Sequence, residues 1–297
     1  MNKVIVTGGC GFIGSHIVDK LVDNNIVVVI DDESATENEV FHYNPKAEYH
    51  KLDIFDKESI DSLFENVDYV FHLAAESRIQ PAIKNPNRAY NVNVMGTLNI
   101  LELSKKYNVK RIMYSSTSSV YGMTDKLPTS ENDDINCLNP YSHSKFLGEE
   151  LFRHYSDNYS VDSVIFRYFN VFGERSPIKG QYAPVVGIFL NQYKNGLELT
   201  ITGDGSKKRD FIHVSDVADA NILAMQYDDK LKSKVINIGC GENISINDIA
   251  KQISSKTKYI TARDGEVENT LANIKNAEET LNFRPKIKLN DWIKNNL

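Results

Sequence analysis

Two side chains able to move a proton stand four positions apart in Tyr141-Ser142-His143-Ser144-Lys145. On a helix that spacing sets the phenol and the ammonium on one face. A free phenol titrates near 10, so a base working near neutrality must be lowered by roughly three units, or about 4 kcal/mol of differential stabilisation. An adjacent ammonium and a second positive charge in a closed site can supply that, which makes the pair a candidate for acid/base chemistry. The same spacing also occurs as a solvated pair on surface helices. Its meaning therefore depends on its companions.

One companion is the hydroxyl-rich run Tyr114-Ser115-Ser116-Thr117-Ser118-Ser119-Val120-Tyr121-Gly122. The other is the turn Thr7-Gly8-Gly9-Cys10-Gly11-Phe12-Ile13-Gly14, directly after a strand pattern and directly before a helix pattern. Glycines there allow a tight turn and close approach of a pyrophosphate, and the helix N-terminus offers free N–H groups with a favourable dipole. Asp31, at the end of the next strand pattern, stands about the expected twenty residues on and can accept hydrogen bonds from an adenosine ribose. Asp32 and Glu33 beside it would repel a 2′-phosphate, which favours NAD over NADP.

Such residues need a sheet edge to bring them together, and the chain supplies the rhythm for one. Short β-branched runs at Lys3 to Thr7, Ile26 to Ile30, Tyr49 to Leu52, Tyr69 to Leu73, Arg111 to Ser115 and Ser163 to Arg167 read as six buried strands. Between them, Ile13 to Val22, Asp56 to Phe64, Asn91 to Tyr107 and Tyr141 to Tyr155 carry apolar residues at helical spacing. This alternation predicts an α/β fold, a doubly wound (Rossmann) parallel sheet, whose ligands bind at the carboxyl ends of the strands. After Asn170 the rhythm breaks at Gly173, Pro177, Gly180 and Pro184 and returns at Asp210 to Ala224 and Val235 to Ile238. The expectation is a dinucleotide-binding domain over 1–168 plus about 210–238, with a smaller interwoven C-terminal substrate lobe over 169–209 plus 239–297.

With these elements in place, the chain resembles the extended short-chain dehydrogenase/reductase family, and within it the nucleotide-sugar epimerases and dehydratases. The resemblance spans nearly the whole chain. It rests on the Gly8 to Gly14 turn, Asp53 in Leu52-Asp53-Ile54, His72-Leu73-Ala74-Ala75, Asn91-Val92-Asn93-Val94-Met95-Gly96-Thr97, the Ser/Thr run before Tyr121-Gly122, and Tyr141 with Lys145. Arg167 to Gly173, Gly203-Asp204-Gly205 and Arg209 to Val214 extend it. The resemblance implies that Tyr141 is the acid/base, that Lys145 lowers its pKa and holds the nicotinamide ribose, and that Thr117 hydrogen-bonds the sugar hydroxyl. It implies NAD as cofactor, held by Gly8, Gly11, Phe12, Ile13, Gly14, Asp31, Asp32, Ser34, Asp53, Ile54, Leu73, Ala74, Ala75, Asn93, Ser115 and Tyr168 besides the catalytic pair. It also implies that Ser77, Asn170, Val185, Arg209, Arg263 and Thr270 join Thr117 on the substrate. Two arginines suit a diphosphate because the guanidinium fork matches its oxygens.

Finer matches narrow the expected reaction. Dehydratases of the family carry an Asp-Glu pair just after the catalytic Ser/Thr, where this chain has Ser118-Ser119, so elimination of water lacks its acid and base. Epimerisation at C4 needs only hydride transfer to bound NAD, a turn of the keto sugar and return of the hydride. Thr270 falls where relatives restricted to non-acetylated sugars place a tyrosine. With Asn170 to Gly173 and Gln181-Tyr182-Ala183, this makes the chain look most like the UDP-N-acetylglucosamine 4-epimerases, with UDP-glucose as the second substrate. The stretch His72 to Ser77 is closer to the dehydratases. A nucleotide-sugar 4-ketoreductase using external NAD(P)H, a dehydratase-like enzyme and a non-catalytic dinucleotide-binding regulator are the rival readings.

Composition sets the remaining bounds. The chain has 297 residues, 41% of them hydrophobic, enough to bury a core without disulfides or metals. Cys10, Cys137 and Cys240 are odd in number and far apart, which outlines neither a disulfide framework nor a metal site and suits a reducing cytoplasm. A net charge of −6 with interspersed lysines argues against nucleic acid, and no stretch reads as a membrane span or leader. His16, His72 and His213 read as packing residues. By the resemblance, a homodimer is expected through the helices of Asn91 to Tyr107 and Tyr141 to Tyr155.

Overall fold

The computed structural model describes residues 1–35, 40–178, 184–261 and 267–297. Its strands are β1 (Asn2–Thr7), β2 (Asn25–Asp31), β3 (Glu48–Lys51), β4 (Tyr69–His72), β5 (Arg111–Thr117), β6 (Ser163–Tyr168), β7 (Asn170–Phe172), β8 (Leu199–Thr202), β9 (Lys208–His213), β10 (Lys234–Ile238), β11 (Asn243–Ser245) and β12 (Thr257–Ile260). Seven of them form one parallel sheet in the order β10-β6-β5-β4-β1-β2-β3. The order reverses between β1 and β4, and a crevice opens there at the carboxyl ends of the strands. Every residue of β5 and β6 is buried, as befits strands covered on both faces.

The helices Phe12–Leu21 and Val214–Gln226 cover one face, burying Ile17, Val18, Leu21, Val217 and Ala224 against Val4, Val6, Val29 and Phe166. Thr97–Lys106 and Pro140–Tyr159 cover the other, where Ile100, Leu101 and Phe152 pack on Ile5, Val70, Ile112 and Ile165. Over the carboxyl edge lies a smaller lobe. It contains the three-stranded sheet β11-β9-β7, the pair β12-β8 and the helices Val185–Lys194, Ile246–Ile253 and Leu289–Asn296, closed by Phe189, Leu199, Ile201, Ile249 and Ile293.

The architecture departs from the sequence reading in four places. The central sheet has a seventh strand, β10, from the run at Val235 to Ile238. The expected helix over Asp56 to Phe64 is one α-turn, Lys57–Ile60, continued as a 3-10 turn, Asp61–Phe64. The expected helix from Asn91 is preceded by a turn at Pro86–Tyr90 and opens with a π segment, Asn91–Gly96, before the α-helix proper; such wide turns commonly occur at functional sites. Finally, β9 straddles the expected lobe boundary at 210. The helix Lys275–Leu281, expected in the small lobe, buries Ala277 and Leu281 in the core of the large one. No helix among the described residues is long and apolar enough to cross a membrane.

Candidate active site

A cavity of about 840 Å³ runs along the carboxyl edge of the sheet and under the smaller lobe. Its first wall is the turn after β1. Gly8 has a φ of +72°, and a Cβ at Gly14 would lie 2.2 Å from the Gly8 carbonyl oxygen, so only glycine lets the helix start this close to the strand. Gly11 caps that helix without a side-chain hydrogen bond, which leaves its first N–H groups free for a ligand. Asp31 accepts the Cys10 and Glu33 amides, both at 2.9 Å, and its burial pushes its carboxyl pKa up. Gly8, Gly11, Phe12, Ile13, Gly14, Asp31, Asp32, Ser34, Asp53, Ile54, Leu73, Ala74, Ala75, Ser115 and Tyr168 all line this cavity. A bare helix N-terminus, a glycine approach and a carboxylate at the end of β2 suit a dinucleotide. The acids beside Asp31 are less exposed in charge than the sequence suggests: Asp32 pairs with Arg88 at 3.3 Å and Glu33 with Lys51 at 2.6 Å.

Beneath this wall lies a polar relay. The Thr7 hydroxyl accepts the Leu73 and Ala74 amides, both at 3.2 Å, so its proton goes to His72 Nδ1 at 2.8 Å. His72 Nε2 then donates to Thr97 Oγ1 at 2.9 Å, and Thr97 donates to the Asn93 carbonyl at 2.7 Å. His72 is completely buried, and burial aided by the Lys145 charge holds its pKa well below the usual histidine value. The ring is thus a neutral structural link. Asn93 does not reach the cavity: it is fully buried, and its amide holds the Glu76 backbone at 2.8 and 3.1 Å and Ser144 Oγ at 2.9 Å. It supports the wall from behind.

Thr117, Tyr141 and Lys145 meet in the middle of the cavity. Tyr141 and Lys145 come from the helix Pro140–Tyr159, whose start is set by Pro140 and by a capping box in which Asn139 accepts the Ser142 amide at 2.9 Å. Thr117 ends β5 and accepts the Ser119 amide at 3.1 Å. The Lys145 ammonium, 2% exposed, lies 4.2 Å from the centre of the Tyr114 ring. Burial lowers its pKa to about 7, opposed by the charge of Glu149. Burial also raises the Tyr141 phenol, against a hydrogen bond from Thr117 that favours the phenolate. Tyr114 donates to the Lys145 carbonyl at 3.1 Å, across Gly148, where a Cβ would stand 2.2 Å from that hydroxyl.

The far wall belongs to the smaller lobe. Asn170 donates to the Asp210 carbonyl at 2.7 Å and to Thr270 Oγ1 at 3.1 Å, and Thr270 Oγ1 also accepts the Asp210 amide at 3.1 Å. Arg209 donates to the carbonyls of Val267 at 2.7 Å and Glu268 at 2.9 Å, fastening that segment. Val185 opens the helix Val185–Lys194, whose N-cap, Pro184, has no side-chain cap. Ser77, Asn170, Val185, Arg209 and Thr270 all line the cavity. Arg263 and the stretch Gln181 to Ala183 lie outside the described residues.

Several supporting residues escaped the sequence reading. Asp210, fully buried, accepts three amides, those of Cys240 at 2.7 Å, Ala272 at 2.9 Å and Gly241 at 3.0 Å, and so ties the two approaches to the small lobe onto β9. Glu149 and Arg167 form a buried ion pair at 2.7 Å behind the catalytic residues. Arg88 bridges Asp32, Ser34 and Glu76. A charged residue on an otherwise apolar strand or helix face was the available signal for Glu149 and Arg167. Of the other histidines, His16 bonds the Glu174 carbonyl at 3.0 Å and His213 Nε2 lies 3.2 Å from the Glu174 carboxylate, and no cluster of metal-ligating side chains occurs among the described residues.

A fold with this cradle, and a Tyr/Lys/Thr centre beside it, is shared by a whole family, and the chain belongs to it: the NAD dependent epimerase/dehydratase family, whose model matches residues 4–239. A UDP-glucose 4-epimerase of Lactobacillus helveticus is 32% identical over 96% of this chain and 92% of its own. The solved UDP-N-acetylglucosamine 4-epimerase of Methanobrevibacter ruminantium, in complex with UDP-N-acetylmuramic acid, superposes with a TM-score of 0.92 at 34% identity, covering 99% of this chain and 96% of that one. The Thermus thermophilus UDP-glucose 4-epimerase complex with NAD superposes at 0.89 with 28% identity, covering 98% and 96%.

Proposed function

We propose that this chain, an NAD-dependent nucleotide-sugar epimerase, interconverts the C4 epimers of UDP-N-acetylglucosamine and UDP-N-acetylgalactosamine, with UDP-glucose and UDP-galactose as further substrates. The observation that carries the reading is the convergence of Thr117, Tyr141 and Lys145 between a dinucleotide cradle and a second, polar wall. Bound NAD supplies a reversible acceptor for the C4 hydride. Tyr141 takes the proton of the C4 hydroxyl and later returns it, Lys145 stabilises the phenolate, and Thr117 orients the hydroxyl. Asn170, Arg209 and the open N-terminus at Val185 hold the nucleotide diphosphate, as does Arg263. Ser77 is on the substrate side of the cavity as well.

Room for a 2-acetamido group is supported by Thr270, a small side chain fastened into the wall where a tyrosine would project. The 4,6-dehydration alternative is disfavoured by Ser118 and Ser119, which line the cavity where elimination would need a carboxyl acid and base. We also read the molecule as a cytoplasmic homodimer. Three separate free thiols suit a reducing compartment, and Met95 leaves apolar surface on the first of the two helical segments expected to pair. Light scattering at micromolar concentration is expected to give twice the chain mass, and a monomer would remove the dimer.

The deciding experiment is incubation of the purified protein, without added cofactor, with UDP-N-acetylglucosamine and separately with UDP-glucose, reading C4 stereochemistry by proton NMR. Appearance of the galacto isomers is expected, with the acetylated sugar turned over at least as well. No conversion of either sugar, together with reduction of a 4-keto nucleotide sugar when NAD(P)H is added, would instead establish the reductase.

A further inference from the structure

Behind the catalytic residues sits a set of charges that the acid/base chemistry does not use. Glu149, one helical turn beyond Lys145 on the helix Pro140–Tyr159, is 0% exposed. Its Oε1 accepts the Ser116 hydroxyl at 2.5 Å and Arg167 Nε at 3.0 Å; its Oε2 accepts Arg167 Nη2 at 2.7 Å and Arg153 Nη2 at 3.2 Å. Arg167, on β6 and 1% exposed, also reaches the Glu131 carbonyl at 3.3 Å and lies 4.7 Å from the centre of the Tyr121 ring. Tyr121 in turn donates to Asn237 on β10 at 2.7 Å. Taking two charges out of water costs several kcal/mol per ion, and an apolar pair of the same volume often serves stability as well. A pair kept this deep calls for a use other than stability.

Its position supplies one. Ser116 immediately precedes Thr117, so the Ser116–Glu149 bond ties the end of β5 that presents Thr117 to the helix turn below Tyr141 and Lys145. Among the described residues no carboxylate pairs directly with Lys145. The groups around the ammonium are His72 on β4, Tyr114 on β5, Tyr141 and Glu149 on its own helix, and Arg167 behind Glu149 on β6. We propose that Glu149 and Arg167 are positioning residues: their ion pair clamps the Thr117 strand end onto the Tyr141/Lys145 helix and balances the electric field at the Lys145 ammonium, Glu149 favouring its charge and Arg167 opposing it.

Opposite substitutions then have opposite consequences, which a purely structural role would not produce. Glu149→Gln removes the favouring charge and is expected to move the high-pH limb of kcat, where the ammonium is lost, down by about one unit. Arg167→Met leaves Glu149 paired only with the partly exposed Arg153 and is expected to move the limb up by a similar amount. Glu149→Gln strands the buried Arg167 and Arg167→Met removes the buried partner of Glu149, so each single change is expected to lower thermal stability and the double variant is made alongside. The double variant Glu149→Leu/Arg167→Met, whose apolar side chain at 149 cannot accept the Ser116 hydroxyl, is expected to fold, to return the limb to within about half a unit of the parent, and to keep a kcat about tenfold down with KM little changed, because Ser116 has lost its anchor. Ser116→Ala is expected to reproduce that kcat loss with the limb unmoved.

The inference rests on the epimerase reading only through the assay, so the Lys145 titration is also followed directly by NMR of Cε in lysine-labelled protein without substrate. Absence of turnover in the parent would overturn the function and leave this titration readable. Singles whose Lys145 titrations do not separate in the stated directions, or a double variant with the parent's kcat, would overturn the positioning role.

Discussion

At the scale of single residues, burial sets two titrations against each other. The Tyr141 phenol is pushed up and the Lys145 ammonium down to about 7, so the charged pair is costly until something else positive shares the site. Replacing Tyr141 by Phe removes the proposed proton carrier together with its hydrogen bond from Thr117. A fall in kcat of about 10²- to 10⁴-fold is expected, with NAD retention through purification unchanged. Lysine at 145 should also burden the fold. Its folded pKa lies below the unfolded value near 10.4, so the unfolded chain holds more protons from about pH 7 to 10.5, and the lysine's burden lightens as pH rises through that window. Cofactor-free Lys145→Met is therefore expected to be inactive yet more stable at pH 7, by up to about 4 kcal/mol, with the advantage shrinking towards pH 10. Chemical denaturation at several pH values measures it; a less stable variant at neutral pH would refute it. Tyr141 and Lys145 were legible in the sequence as candidates, because their spacing on one helix was read together with the hydroxyl-rich run, the glycine turn and the family resemblance. Their proton affinities were not, since those depend on what covers them.

The elements carry the next level of control. The helix Pro140–Tyr159 begins where Asn139 and Pro140 dictate, and so delivers Tyr141 and Lys145 to the carboxyl edge of the sheet. Its seat against β5 depends on Gly148, where the Tyr114 hydroxyl approaches to reach the Lys145 carbonyl. Gly148→Ala would place a methyl within 2.2 Å of that oxygen. Alanine normally favours a helix interior, but here overpacking is expected to dominate, with about 1–3 kcal/mol of destabilisation in urea and a loss of kcat as Lys145 moves. An increase in stability would mean that the strand yields freely. Sequence pattern located this helix and the strands to within a few residues, since alternation of apolar runs is a local property. It did not show the π segment at Asn91–Gly96, beside which the Thr97 hydroxyl bonds the Asn93 carbonyl and the Asn93 side chain bonds Ser144 on another helix.

For the whole molecule, the joint between lobes decides whether substrate meets catalyst. Asp210 gathers amides from two segments on β9 at the floor of that joint. Asp210→Asn turns an acceptor for three donors into a group that is half donor. A loss of about 1–3 kcal/mol is expected, with a raised KM for the UDP-sugar and NAD still bound, because the cradle on β1 and β2 is built elsewhere. Loss of NAD in step with the sugar would show that the two lobes fold as one unit. The sequence by itself determined the alternating sheet and the glycine turn, since each is written in neighbouring residues whose backbone demands are local, and through the family resemblance it named Thr117, Tyr141 and Lys145 as candidates. Only the tertiary structure decided that Asn93 lies behind the wall, that Arg88 and Lys51 cover the acids near Asp31, and that Glu149, Arg167 and Asp210 hold the site together. The surface pairs arise from residues brought together across the sheet edge, and the rest from residues tens of positions apart being driven into one dry interior, where each buried charge or amide must find a partner.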